Sequence, residues 1–158
     1  MKYRVIVAMA AILWAGLAYS RHFHINKSIF DAVRAPGAGE LRLSEAADFD
    51  WDHVYLFPPY MPRERVCATL GIDAVACKAA VRFESRTDND MSLAFVRDGR
   101  LVRYHYHSRA DADFTPLPRR QPVALRDAVF RIDPDDTVLN NQRWYRLVQR
   151  PLPVAGAG

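Results

Sequence analysis

His105 and His107 stand two residues apart in a stretch of alternating apolar and polar residues. On a strand, that spacing puts both imidazoles on one face, within reach of a single metal ion. His22 and His24 repeat it. Two ligands do not make a site and no third accompanies either pair, so no metal is assigned. Asp48, Asp50 and Asp52 alternate as at the start of a calcium loop. Such a loop needs glycine at its sixth position and glutamate at its twelfth. His53 and Pro59 stand there instead, so the triplet reads as a polar face with Phe49 and Trp51 turned inward. A nucleophile elbow, a P-loop and a Gly-x-Gly-x-x-Gly fingerprint are absent. Glu64, Glu84 and Asp111 read as surface carboxylates. The sequence therefore names no catalytic, cofactor-binding or metal-binding residue. One enzymatic alternative stays open: a small hydrolase in which His53 or His105 works as acid and base beside an aspartate.

The two cysteines, Cys67 and Cys77, offer different chemistry. In an exported chain a pair of cysteines invites a disulfide. The short loop it closes would contribute roughly 2–3 kcal/mol. Two buried thiols are the alternative. No Cys-x-x-Cys or other reactive signature is present.

Export itself is read from the N-terminus. Lys2 and Arg4 precede an uncharged run from Val5 to Tyr19, the length of a signal-peptide core and short for a membrane span. Small residues permit cleavage after Ala18 or Ser20. Without cleavage, residues 1–20 would anchor the chain in the inner membrane with the body facing the periplasm. Inner-membrane contact is expected only in that case. The full chain carries a formal charge of +4, but Lys2 and Arg4 belong to the leader, and the remaining arginines are scattered. A nucleic-acid partner would need a clustered basic stripe, so none is expected.

Behind this address, residues 21–40 read as a tether with a short helix between His24 and Arg34, ended by Ala35-Pro36-Gly37-Ala38-Gly39. A single domain is expected over 41–148, with a loose tail over 149–158. Within it, His53–Phe57 reads as a strand stopped by Pro58-Pro59. Pro62 opens a helix over Arg63–Leu70 with Gly71 at its C-terminus. The alternation of Ala79, Val81 and Phe83 predicts another strand. Asp98-Gly99 predicts a type I′ hairpin between Met91–Arg97 and Arg100–His107. A regular hairpin there pairs Phe95 with Val102 and Leu93 with Tyr104. Arg103, His105 and His107 then share the more polar face. Ala128, Phe130 and Ile132 alternate into a turn at Asp133-Pro134-Asp135-Asp136, and a last strand runs Gln142–Val148. The sum is an α+β domain, a small antiparallel sheet with one helix packed on one face.

Aromatic residues cluster around the proline pair. With arginine they make good anchors for a protein partner, so Trp51, Tyr55, Tyr60, Tyr106 and Arg103 form the expected contact surface. The run Trp51-Asp52-His53-Val54-Tyr55-Leu56-Phe57-Pro58-Pro59-Tyr60 resembles a Trp-Asp-x-Val-Tyr-x-Phe-x-Pro-Tyr segment of small uncharacterised bacterial envelope proteins. The helix ending Leu70-Gly71 and the hairpin through Asp98-Gly99 extend the resemblance over roughly Phe49 to Tyr106. Some of those proteins carry a lipobox cysteine, which this chain lacks. The resemblance implies location and architecture, not an activity. The sequence thus points to a non-enzymatic, periplasm-facing binding module: an inhibitor, an immunity protein or an accessory subunit of an envelope complex.

Overall fold

The computed structural model describes residue 25 and residues 27–139 and 142–151. Residues 1–20, expected above to be a signal peptide or anchor, His22 and His24, and the end of the tail lie outside them. The described chain forms two antiparallel sheets and several short helices, a mixed α+β fold.

The helix expected inside the tether, α1, covers residues 27–34. Ile25, Ile29 and Val33 fall on one helical face and are all buried in the main core. From Ile25 onward the stretch read as a tether is therefore part of the packed body. Arg34 fixes the end of α1. Its guanidinium donates to the carbonyls of Asp111 at 2.7 Å and Ala110 at 3.2 Å, and it lies over the Tyr145 ring.

The three-stranded sheet runs β1-β6-β7, with β1 at Glu40–Arg42, β6 at Val129–Leu139 and β7 at Gln142–Gln149. A four-residue helix, α2 (Leu43–Ala46), follows β1. The Asp133 to Asp136 segment is not a turn. Strand β6 continues through it with a register irregularity between Pro134 and Val138, and β7 pairs back along its length.

The four-stranded sheet runs β4-β3-β2-β5, with β2 at His53–Phe57, β3 at Asp90–Arg97, β4 at Arg100–Ser108 and β5 at Val123–Ala124. Strand β2 has the expected bounds. Past the short β5, the Gln121 side chain stands in for a missing strand. Its Oε1 accepts from the Leu56 N–H at 2.7 Å and its Nε2 donates to the Leu56 carbonyl at 3.0 Å.

The β3–β4 hairpin turns at Asp98 and Gly99, with φ of 50° and 72°, as a type I′ turn requires. Its register differs from the regular one. Arg97 pairs with Arg100 and Val96 with Leu101, but Phe95 then pairs with Arg103 and Leu93 with His105. Val102 is an extra residue, a β-bulge, and one inserted residue exchanges the faces of everything beyond it. Arg103, His105 and His107 therefore join Leu93 and Phe95 on the main-core face. Tyr104 turns to the opposite face with Ala94, where both join the second core.

That second, smaller core lies under two helices rather than one. Helix α3 (Arg63–Thr69) ends in a Schellman motif: Gly71 has φ of 66°, and the Ile72 N–H reaches the Cys67 carbonyl at 2.9 Å. Helix α4 (Ala74–Ala80) replaces the strand expected around Ala79, Val81 and Phe83. Asp73 caps it, its carboxylate accepting from the Val75 and Ala76 N–H groups at 2.9 Å each. Capping and alanine's helix propensity override the weak alternation. Cys67 and Cys77 are joined in a disulfide with a Cα–Cα distance of 5.8 Å, tying α3 to α4.

Candidate functional site

Helix α1 packs over the Leu93 and Phe95 face of the four-stranded sheet, while α3 and α4 cover the Ala94 face. Both layers border the outer edge of β4. Between them lies an open groove of about 1100 Å³. Lys27, Phe30, Arg103, His105 and Asp111 line it on the α1 side. Ile72, Ala79, Phe83, Leu101 and Tyr104 line the other, with Arg82 at its border. The Phe83 and Tyr106 rings meet edge to face at 4.7 Å.

The groove brings together two of the five expected contact residues, Arg103 and Tyr106. The Arg103 guanidinium lies 4.9 Å from the Phe49 ring centre, and its buried Nε–H has no acceptor among the described residues. Trp51 is no surface anchor. It is 3% exposed and meets Phe95 edge to face at 5.2 Å. Tyr55 is half-buried, stacked on Phe57 over the second core.

Tyr60 stands apart on the Pro58–Pro62 loop, 58% exposed. Its φ is 62°, a left-handed conformation that costs a residue with a Cβ roughly 1–2 kcal/mol. A relay of hydrogen bonds holds it there: the Tyr60 N–H donates to Ser85 Oγ, and that hydroxyl donates to the Asp90 carbonyl, each at 2.8 Å. Tyr60→Gly is expected to change the unfolding free energy by less than about 1 kcal/mol, because release of strain offsets glycine's greater unfolded-state freedom. Urea unfolding checks this. A larger loss would mean that the ring supports the fold.

Asp50 and Asp52 do structural work. Asp50 pairs with Arg97 at 2.6 Å, and the Asp52 carboxylate accepts from the Asp98 N–H in the hairpin turn at 2.7 Å. Among the described residues, no three His, Cys, Asp or Glu side chains are placed to hold a metal ion. Of the two histidines considered for acid–base chemistry, His53 is exposed at the start of β2, while His105 is 5% exposed and shares the groove with Asp111.

His107 is fully buried. Its Nε2 lies 2.6 Å from the Ala112 carbonyl, an acceptor only, so that nitrogen carries the proton. Burial pushes the His107 pKa below its ordinary value, against the opposing pull of that hydrogen bond. A group with a lowered folded pKa stabilises fully above its unfolded value and loses that contribution as pH falls. Stability should therefore decline as pH drops below about 6.5, the ordinary histidine value. His107→Gln, which keeps a donor for Ala112, should flatten the dependence of the urea midpoint between pH 7 and 5. An unchanged slope in that variant would remove His107 as its cause.

Asp113 has no signal in the sequence, yet it ties the segment after β4 to β7 of the three-stranded sheet. Its N–H donates to the Tyr145 carbonyl at 2.8 Å, and its own carbonyl accepts from the Leu147 N–H at 2.7 Å. Its carboxylate accepts from Arg109 Nε and Nη2 at 3.0 and 2.9 Å, Thr115 N and Oγ1 at 2.9 and 2.7 Å, and Trp144 Nε1 at 3.3 Å. Burial raises its pKa, but the bonds from Arg109 and Thr115 outweigh burial and hold the carboxyl below the usual range. A carboxylate so fully bonded is a structural joint rather than a general base.

No protein family, curated protein or solved structure matches this chain. The disulfide is compatible with an oxidising, exported location. No helix among the described residues is long and apolar enough to cross a membrane.

Proposed function

We propose that this protein is a non-enzymatic binding module facing the periplasm, an inhibitor, immunity protein or accessory subunit of an envelope complex. It takes its place beside the small envelope proteins that share its Trp-Asp-x-Val-Tyr segment. The observation that carries the reading is the groove beside β4, which partly buried aromatic side chains and Arg103 line between two helical walls. Aromatic and arginine side chains in a concave, partly desolvated setting are what protein contacts use. The Cys67–Cys77 bond and the leader-like residues 1–20 support the address. The partner is an envelope protein; no nucleic acid and no cofactor enter.

The test is cross-linking in living cells, followed by purification of the C-terminally tagged chain. Recovery of one envelope protein in stoichiometric amount is the expected result. A chain recovered alone, monomeric and uncross-linked, would overturn the reading.

A further inference from the structure

Arg119 and Arg120 are the one adjacent pair of basic residues in the chain, and both are exposed in the segment that leads into β5. Elsewhere exposed arginines such as Arg86, Arg97, Arg131 and Arg146 meet carboxylates. Neither Arg119 nor Arg120 meets one among the described residues. Their neighbours hold the pair out. Before it, Thr115 is bonded to the Asp113 carboxylate, Leu117 packs against the main core and Pro118 is buried. After it, the Gln121 side chain is bonded to the Leu56 backbone, and Val123 pairs with Val54. A loop pinned on both sides pays little ordering cost when its tip binds. Leu56 is one residue from the end of β2, so the pair stands at the end of the four-stranded sheet where β2 finishes. The Pro58–Pro62 loop leaves β2 at that same end and carries Tyr60, exposed and left-handed. Residues 58–62 and 115–122 include no Asp or Glu. Neither the groove beside β4 nor the recess around Asp48, Asp50 and Asp52 is lined by any of them.

We infer that this end of the sheet docks on the anionic phospholipid headgroups of a bilayer. A guanidinium fork takes phosphate oxygens two at a time, and basic residues beside an anionic leaflet are drawn to it. A tyrosine ring, apolar in body and polar at its tip, suits the headgroup level. Protein hot spots sit in recesses where the anchor is fully desolvated. The arginine pair and Tyr60 lie in neither recess, whereas the groove beside β4 is one. The inference goes beyond the binding-module reading and does not need it. Strands β5 and β4 are opposite edges of the sheet, so a chain seated on lipid at the β2–β5 end keeps the groove open to a partner.

The experiment uses the full chain as isolated from the envelope. It is mixed with nanodiscs, or reconstituted into them if residues 1–20 are retained. The nanodiscs hold either phosphatidylethanolamine with phosphatidylglycerol, or phosphatidylcholine alone. Both native cysteines are bonded, so an introduced cysteine takes a nitrobenzoxadiazole label whose emission reports contact with lipid. One label replaces the exposed Tyr60 ring. The control replaces Arg100, exposed in the hairpin at the other end of the sheet. The label at position 60 should brighten and shift to the blue with phosphatidylglycerol, and change little with phosphatidylcholine or at position 100. In Arg119→Glu/Arg120→Glu that response should fall at least about tenfold, at an unchanged melting temperature. If that variant melts lower, Arg119→Gln/Arg120→Gln, which should also lose most of the response, decides. An equal response at both positions, an equal response to both lipids, or a response that survives loss of the arginine pair would overturn the docking. So would saturable binding of polyglutamate, abolished in the same variants, with no response to either lipid; that result would give the pair to an acidic protein instead.

Discussion

Asp113→Ala is expected to lower the unfolding free energy of the full chain by about 3–5 kcal/mol, the cost of breaking a buried ion pair from one side. The substitution leaves the Arg109 guanidinium, Thr115 Oγ1 and the Trp144 indole N–H without their shared acceptor. It does so at the seam where the chain after β4 pairs with β7. Because that loss is a large share of a typical total of about 5–15 kcal/mol, Asp113→Asn supplies a milder probe. It keeps an acceptor oxygen and should cost about 1–3 kcal/mol. Arg109→Ala should be destabilising alone but add little to Asp113→Ala, since both remove the same pair. Urea unfolding of the single and double variants checks each value. A loss below about 1 kcal/mol for Asp113→Ala would show that the fold does not depend on this joint. The depressed Asp113 pKa gives the pH sign: its contribution is complete above the unfolded carboxylate value near 3.9 and is lost as pH falls through the lower folded value. Acid should thus weaken the protein in two stages, His107 first and Asp113 later.

Removing the disulfide is expected to cost roughly 2–3 kcal/mol, from a loop with a sequence separation of 10. For a chain of this size the melting temperature should fall by roughly 5–10 °C. The loss should also be local. Helices α3 and α4 are seven residues each, well below the length at which a helix persists alone. Hydrogen exchange should therefore rise in α4 before it rises in β2 or β3. Since Ala79 belongs to α4 and lines the groove, reduction would also loosen one wall of the proposed binding site. The Cys67→Ala/Cys77→Ala variant and the reduced wild type should agree. A melting temperature unchanged in both would mean that Asp73 capping and the second core hold the helix pair unaided.

Much of the local structure was legible because short-range chemistry decides it. The His53–Phe57 strand, the helix after Pro62, the left-handed Gly71 and the Asp98-Gly99 turn all follow from neighbours in sequence. The Cys67–Cys77 pairing followed from residue type and the expected compartment. The faces of β4 were not legible, because a single bulge at Val102 inverts them and no glycine marks it. Thus Arg103 and His105 come to the core face and groove instead of the polar face. Helix α4 had a signal that was outweighed: Asp73 before an alanine-rich run is a capped helix start, and the alternation of Ala79, Val81 and Phe83 obscured it. The role of α1 was half visible. Its apolar spacing was read, but its burial depends on a core assembled from residues as far apart in sequence as Leu41 and Leu147. Trp51 could have faced either way by pattern alone, and packing against Phe95 turned it inward. The hub at Asp113 depends on Arg109, Thr115 and Trp144 meeting in space, which one sequence does not announce.

The most direct measurement is site-specific photo-cross-linking in living cells, with the photoreactive residue placed at Val102 or, as a control, at Arg126. Val102 is 44% exposed and lines the groove; the Arg126 side chain is 87% exposed and does not. The expected result is one discrete adduct with an envelope protein from Val102 and none from Arg126. Adducts of equal yield from both positions, or none from either, would contradict a binding module that works through this groove.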